Sequence, residues 1–564
     1  MGGNDYMDTK NVLVIGAGLS GLTCSVKLAE KGVNVCLFSP SPSERSQSVM
    51  AMGGINAALN TKGQDDSPSQ HYADTINGGQ QINNHMAVKR LTDDAPDIIR
   101  WLDDIGTSFT RDDNGNIDQR YFGGQKKQRT AYAGARTGKQ VLSAINRMLR
   151  KYEHENLVKR YIGWRFLSLV LDDDDRCVGA VLINELTDEI RSFAADCVVI
   201  ASGGMNKVFG KISGSLQNDA GTTARLLLQD IKLANLEMIQ FHPTTIRTPV
   251  KNMLITEAAR GEGGRLYTLR DDERWYFMEE WYPELGALMP RDVVSRSIYK
   301  VCNQHNLGIN GENIVYLDVS FLPEKTVKVK LDEVYDVCMK YMNLDPTVEP
   351  IPVYPGIHYF MGGILTDDEH KTSIKNVYAI GECSAQYHGA NRLGGNSLLG
   401  AIHGGYIAAE EIIGQQTTPN KNDETLRKEL ERQKNAYDEW KNNQTGNYTS
   451  SYVIEEELAR IMNDAMGIYR KEETLKDALA QLEKLEDKEI YSHDSYYEYV
   501  LIKSLIPLSK AILKSAMERK ESRGAHQRIE YPEKDDKYLK TTVIQKMDEE
   551  FIVSFNDTDE KMGW

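Results

Sequence analysis

The chain predicts an α/β fold built on a nucleotide-binding parallel sheet, and three stretches carry that prediction. The first is residues 11–39, where the apolar run Val12-Leu13-Val14-Ile15 turns through Gly16-Ala17-Gly18-Leu19-Ser20-Gly21 into a helical pattern and then a second apolar run, Val33 to Phe38. Strand, glycine turn, helix and strand is the order of a dinucleotide-binding βαβ unit. The second stretch, 197–201, is an apolar strand that ends in Ser202-Gly203-Gly204; the third, 377–380, is another that ends in Gly381-Glu382. Both are expected to return to the same sheet beside the ligand.

Each residue of the glycine turn has a physical task. Gly16 permits the tight turn, Gly18 lets the backbone approach a pyrophosphate, and Gly21 lets the helix pack on the strand. The helix start at Leu19 and Ser20 offers free N–H groups and a positive dipole end to phosphates. One element departs from this Rossmann-like pattern: the second strand ends in Ser39, where an Asp or Glu usually binds the ribose. A serine hydroxyl can still make that bond. The turn alone does not choose between FAD and NAD.

Composition narrows the function classes. At 564 residues the chain can hold several domains, and a net charge of −15 with no basic run excludes nucleic-acid binding. The seven cysteines, at 24, 36, 177, 197, 302, 338 and 383, form no CxxC pair and are expected to be reduced and buried. No metal site is expected. The start MGGNDYMDTK lacks a signal-peptide core, so a cytoplasmic chain is expected. No apolar run approaches the ~20 residues of a membrane span, which leaves any membrane contact to a partner.

After the first unit comes a small, polar, glycine-bearing loop, Arg45 to Ile55, suited to backbone contact with a flat ligand. Residues 60–135 are polar with short helical stretches such as 87–102, and 157–200 pattern as strands. The sheet domain is expected to span 1–240 and 355–419, interrupted by an inserted α+β cap at 241–354, where aromatics are scattered and the βαβ rhythm is lost. The cap carries Phe241-His242-Pro243-Thr244, Thr256-Glu257-Ala258-Ala259-Arg260-Gly261 and Pro290-Arg291-Asp292. The resumed sheet domain carries His358 to Ile364 and Asn391-Arg392-Leu393-Gly394-Gly395-Asn396-Ser397-Leu398, a glycine turn opening a helix to about Ile413. Residues 420–525 pattern as a helical bundle. Ile454, Leu458, Ile461, Met462 and Ala465 share one face, Leu475, Ala478, Leu479 and Leu482 another, and a third helix spans about 495–518. Residues 526–564 form a polar, mixed tail.

Taken singly, several of these residues have ordinary structural explanations. His242 before Pro243 fits a buried turn, and Arg291 beside Asp292 fits a surface ion pair. Taken in order, they resemble the flavoprotein subunit of succinate dehydrogenases and fumarate reductases. GAGLSG, RSxSVxAxGGIN, RTAYAG, FHPT, TEAARGEGG, PRD, HYxMGGI, NRLGGNSLLG and SRGAH cover nearly the whole chain. The resemblance implies FAD rather than NAD. It implies a flavin site of Gly16, Ala17, Gly18, Leu19, Ser20, Gly21, Ser39, Ser46, Gln47, Ser48, Gly53, Gly54, Asp219, Glu382, Ser397 and Leu398. Substrate carboxylates fall to His242 and Thr256 at one end and to His358 and Arg392 at the other. Arg291 is the implied proton donor to the substrate α-carbon, with hydride arriving from the flavin N5. Glu257 and Arg260 are the implied proton relay.

One departure bears on function. Most membrane-complex members carry a histidine, bonded to the flavin methyl, at the second polar position of RSxS; this chain has Gln47. FAD is therefore expected to be non-covalent, and the enzyme biased toward fumarate reduction. L-aspartate oxidases also lack that histidine, so an aspartate-oxidase-like or other enoate-reducing flavoenzyme is the alternative. The resemblance further implies an iron–sulfur subunit and a quinone-reactive membrane anchor, with this chain peripheral on the cytoplasmic face.

Overall fold

The apolar run at the N-terminus becomes the middle strand of a five-stranded sheet. In spatial order the strands are Val377–Ala379, Cys197–Ile200, Asn11–Ile15, Asn34–Ser39 and Val158–Ile162, all parallel. The computed structural model describes residues 10–134, 136–248, 251–415, 423–443, 449–491, 495–548 and 550–563. Both faces of the sheet are covered, which is why the strands read as unbroken apolar runs. Val12 and Val14 face the helices Leu19–Ala29, His85–Asp104, Thr137–His154 and Asn396–Gly414. Leu13 and Ile15 face the other way, onto the antiparallel strands Trp164–Leu171 and Cys177–Asn184 and a core that continues into the C-terminal helices.

Those helices follow the predicted stripes closely. Ser451–Ala465 buries Ile454, Leu458, Ile461, Met462 and Ala465. Glu472–Glu486 buries Leu475, Ala478 and Leu482, with Leu485 rather than Leu479 completing the face. The helix Tyr496–Glu518 packs on both. All seven cysteines are free thiols, and only Cys36 is not fully buried.

The middle of the chain forms a six-stranded sheet, in the order Asn252–Leu254, Ile239–Arg247, Ile351–Phe360, Val315–Asp318, Arg265–Arg270 and Glu273–Trp275. The points taken from the sequence as cap boundaries, 240/241 and 354/355, fall inside two of these strands. Ile239–Arg247 and Ile351–Phe360 pair with each other, from Ile239 opposite Phe360 to Thr245 opposite Tyr354. The chain thus enters and leaves this region on adjacent, hydrogen-bonded strands.

The C-terminal segment is not a detached tail. Thr541–Met547 and Glu550–Asn556 form a hairpin, and the first of these pairs with Leu233–Ala234 in a second five-stranded sheet. Polar composition hid it, because only Thr541, Thr542, Val543 and Ile544 are buried. A buried ion cluster fixes it in place. Arg519 Nε donates to Glu237 Oε1 (2.7 Å) and its Nη1 to Glu521 Oε1 (2.8 Å), with all three side chains fully buried. Thr542 Oγ1 accepts from Arg519 Nη2 at 2.8 Å.

Removing one member of such a cluster strands the others without water. Arg519→Ala is expected to lower stability by about 3–5 kcal/mol, measured as a fall in the denaturant midpoint. Loss of hydrogen-exchange protection in the strand Thr541–Met547 should accompany it.

Candidate active site

One cavity runs between the parallel sheet and the six-stranded sheet, and most of the residues named from the sequence line it. Its floor is the glycine turn. Gly16 has φ +119°, and a Cβ there would stand 2.1 Å from the Ala201 carbonyl oxygen. Gly21 does not reach the cavity; its missing Cβ would stand 1.9 Å from the Gly16 carbonyl oxygen, so its task is packing. The helix Leu19–Ala29 begins at Gly18 with no side-chain cap, and Leu19 N–H donates to Ser48 Oγ at 3.1 Å. That bond draws the loop Ser46–Gly54 over the turn. Ser39 Oγ donates to the Ser41 carbonyl at 2.8 Å and keeps its acceptor capacity.

A second helix start faces the same space. Asn396–Gly414 opens at Gly395, φ +88°, where a Cβ would fall 2.1 Å from Asn56 Oδ1. Asn56 ties this turn down by donating to the Gly394 carbonyl (2.8 Å) and to Asn396 Oδ1 (2.7 Å). Ser397 and Leu398 follow in the cavity wall. Ser46 Oγ and Ser202 Oγ are buried there without a hydrogen-bond partner among the described residues. Two uncapped helix starts and unspent hydroxyls fit a dinucleotide, which supplies phosphates and ribose oxygens to such donors. Glu382 lies in the same wall, accepts the Phe360 N–H at 3.3 Å, and is pushed up to about 7 by burial. Gln47 is locked by its carbonyl, which accepts from Asn206 Nδ2 (2.9 Å), Ser215 N–H (2.8 Å) and Asn218 Nδ2 (3.3 Å).

The cationic part of the cavity is built from four elements. His242 lies on the strand Ile239–Arg247, His358 on Ile351–Phe360, Arg291 opens the helix Arg291–Asn303, and Arg392 precedes the Gly395 turn. The two imidazole rings are 5.2 Å apart. Arg291 donates to Glu257 Oε2 from Nε (3.1 Å) and Nη2 (2.8 Å). The other carboxylate oxygen, Oε1, accepts from Arg260 Nη2 at 2.9 Å, and Arg260 Nη1 donates to the Ala287 carbonyl at 2.6 Å. Arg260 does not line the cavity; it stands behind Glu257. Thr256 lines it beside Glu257. Arg392 rests on the Tyr359 ring, its guanidinium carbon 4.2 Å from the centroid.

Electrostatics in this dry space are decisive. Burial raises Glu257, but Arg291 and Arg260 outweigh it and hold the carboxyl at about 2. Burial, then repulsion by Arg291, pulls Arg392 down to about 9. The same two causes drive His242 and His358 well below 6.5, so both are neutral. Thr244 N–H donates to His242 Nδ1 at 3.2 Å, which leaves the ring proton on Nε2. That nitrogen and Arg392 Nε have no partner among the described residues.

The sequence reading missed Gln240. Its Oε1 accepts from both Arg291 Nη1 (3.1 Å) and Arg392 Nη2 (3.0 Å), and its Nε2 donates to Asn391 Oδ1 (2.9 Å) and the Arg392 carbonyl (2.8 Å). Asn391 in turn donates to Asp292 Oδ1 at 2.9 Å. One signal pointed to it: Gln240 stands two residues before His242 in a strand, the spacing that returns a side chain to the same face.

Sheet, glycine turn and cavity define a dinucleotide-binding protein, and its relatives make it an FAD-dependent oxidoreductase. Residues 11–398 match the FAD binding domain family and residues 455–562 the fumarate reductase flavoprotein C-terminal family. The chain is 40% identical over 552 residues to a Bacillus subtilis succinate dehydrogenase flavoprotein subunit, covering 96% of this chain and 94% of that one. It is 31% identical to a Haemophilus influenzae fumarate reductase flavoprotein subunit, over 95% and 92% of the two chains. Its fold matches Escherichia coli quinol fumarate reductase FrdA with a TM-score of 0.89 at 28% identity, covering 98% of this chain and 97% of that one. The chain belongs to the succinate dehydrogenase and fumarate reductase flavoprotein subunit family.

Neutral buried histidines set an acid limit on stability. Seven of them (71, 242, 358, 370, 388, 403 and 526) are held below 6.5, chiefly by burial. Below that value the unfolded chain binds more protons than the folded one, so stability is full above about pH 6.5 and falls on acidification. Each contributes a slope of at most about 1.4 kcal/mol per pH unit. Glu382 and Glu333, each raised to about 7 chiefly by burial, work in the opposite sense between their ordinary value and neutrality but are outnumbered. Glu257 stabilises above its ordinary 4.5 and loses that contribution only as pH falls through about 2. Melting temperature is therefore expected to fall between pH 7 and pH 5, before most carboxylates titrate; a flat profile there would contradict the neutral histidines.

Proposed function

We propose that this chain is the catalytic flavoprotein subunit of an enzyme interconverting fumarate and succinate, that it holds FAD non-covalently, and that it favours fumarate reduction. The observation that carries this is the buried chain Arg291–Glu257–Arg260, whose first two members line one cavity with Arg392, His242 and His358. Arg291 and Arg392 line that cavity with Glu257, Arg260 stands behind the carboxylate, and the cluster's excess positive charge suits a dianion. Arg392 binds one substrate carboxylate, with His358 beside it. The Nε2–H of His242 and the Thr256 hydroxyl bind the other. Charge-assisted bonds of this kind offset the desolvation of both carboxylates.

Bound FAD supplies the hydride to one alkene carbon. Arg291 delivers the proton to the other carbon from its guanidinium. An arginine is a poor acid, so its loss must be matched by resupply as it happens. Glu257 Oε2 already accepts two of its N–H groups, and Glu257 Oε1 accepts from Arg260; the ionised carboxylate can pass a proton from Arg260 to Arg291 without leaving its place. Gln240 keeps Arg291 and Arg392 at a fixed spacing, so that proton donor and carboxylate anchor act on one bound geometry.

Gln47 supports the remaining terms. An amide has no nucleophilic ring nitrogen to bond a flavin methyl, and a flavin without that bond is the stronger reductant when reduced. Relatives named as quinol fumarate reductase and succinate dehydrogenase subunits support an iron–sulfur partner and a quinone-reactive membrane anchor. No helix among the described residues is long and apolar enough to cross a membrane; the likeness to quinol fumarate reductase supports a peripheral place on the cytoplasmic face, held by the anchor.

Acid precipitation is expected to leave FAD in the supernatant. Reduced-dye assays are expected to show fumarate turnover at least tenfold faster than succinate oxidation. Flavin that stays with the pellet, or equal rates in both directions, would sink the non-covalent and directional terms; aspartate oxidation without fumarate turnover would move the chain to the aspartate oxidases. Arg291→Ala is expected to lower kcat by roughly 10²–10⁴ with the flavin retained. Gln240→Leu is expected to cost on the order of 10² through misplacement of the two arginines, read as a fall in kcat with unchanged flavin content.

A further inference from the structure

Asp219 lines the same cavity as Ser39, the residue that ends the second strand of the glycine-turn unit. Folds of this class hold the ribose of a dinucleotide at that strand end. Its carboxylate is engaged from three sides. Oδ1 accepts the Gly221 N–H at 2.8 Å, while Oδ2 accepts from Arg165 Nη1 at 2.7 Å and from the Tyr497 hydroxyl at 2.9 Å. Arg165 is anchored by Glu185 (Nε to Oε2, 2.8 Å), and its guanidinium carbon lies 5.0 Å from the Tyr497 ring centroid.

Tyr497 comes from a different part of the chain. It lies on the helix Tyr496–Glu518, far beyond the 11–398 match, yet its side chain lines the same cavity. Its approach depends on a glycine. A Cβ at position 221 would stand 2.5 Å from the Tyr497 hydroxyl oxygen and 2.9 Å from Leu501 Cδ1. A side chain there would displace the Tyr497 hydroxyl and the Leu501 methyl from their places beside the carboxylate.

We propose that Tyr497 is a positioning residue for the adenosine end of the cofactor: it orients Asp219 toward the ribose hydroxyls and so makes the C-terminal helical region part of the FAD site. The inference rests on the cavity being the FAD site. A carboxylate offers about four lone-pair directions; three donors hold three of them, so Oδ1 keeps one to spare on a residue that lines the cavity. Arg165 offsets the negative charge that would otherwise repel the cofactor phosphates.

The test uses full-length protein freed of flavin. Binding of FAD, of ADP (the adenosine end alone) and of FMN (the flavin end alone) is measured for wild type and for Tyr497→Phe, Asp219→Asn and the double variant. Tyr497→Phe is expected to weaken FAD and ADP about tenfold and to leave FMN within twofold. The double variant is expected to be no weaker than Asp219→Asn, because the tyrosine acts through that carboxylate. The rise in melting temperature on adding FAD should shrink accordingly. Unchanged FAD and ADP affinity, or an equal loss for FMN, would overturn the proposal. If the variants do not fold, hydrogen exchange on wild type decides it: ADP must slow exchange in the helix Tyr496–Glu518, and no such slowing overturns it. Wild type that binds FMN and ADP but fails these arms rejects the role of Tyr497 alone; wild type that binds no FAD rejects the cofactor assignment itself.

Discussion

The constraint on which this structure depends is the desolvation of Glu257. Its carboxylate is buried and held between two guanidiniums, one of which faces the cavity and the other the protein interior. An isolated charge in that place would cost far more than the fold can offset, so the three groups must be placed together or not at all. That requirement reaches outward. Arg291 starts a helix whose next residue, Asp292, accepts from Asn391; Asn391 accepts from Gln240; and Gln240 bridges back to Arg291 and Arg392. The ring closes across three segments that lie far apart in the chain. Charged groups cross-linked this way are held in place before any ligand enters, which is what the proposed site for a small dianion needs.

The connection between the two sheets follows the same economy. His242 and His358 sit on the paired strands Ile239–Arg247 and Ile351–Phe360, which carry the chain into and out of the six-stranded region. The rings thereby stand on the seam between sheet systems, where they can meet both the arginines of one side and a flavin held by the other. Their neutrality is a consequence of that seam. Burial there, and after it the repulsion of Arg291 and Arg392, leaves protonation unfavourable at both rings.

The C-terminal third contributes more than bulk. Arg519 joins the end of the long helix to Glu237 and to the Thr541–Met547 strand, and Glu237 itself lies just ahead of the strand bearing Gln240 and His242. The helix Tyr496–Glu518 thus touches the cofactor wall at its start through Tyr497 and the buried ion cluster just past its end through Arg519. The C-terminal region and the elements that carry the site share two identifiable contacts.

Local chemistry made much of this legible in the sequence. Apolar runs, a glycine turn with its strands, and stripes at helical spacing depend on near neighbours, so the parallel sheet, the helices Leu19–Ala29 and Asn396–Gly414, and the faces of Ser451–Ala465 and Glu472–Glu486 could be read directly. The family, and with it the named site residues, followed from motifs in order. Tertiary structure alone decided the rest. Gln240 looked like an ordinary polar strand residue until two distant arginines converged on its carbonyl. The strand Thr541–Met547 carried too short an apolar segment to announce itself and was completed by pairing with Leu233–Ala234. Tyr497 looked like a core aromatic until packing across Gly221 brought it to Asp219. In each case the deciding partner lay more than fifty residues away, and a contact made by chain folding leaves no periodicity in the local sequence.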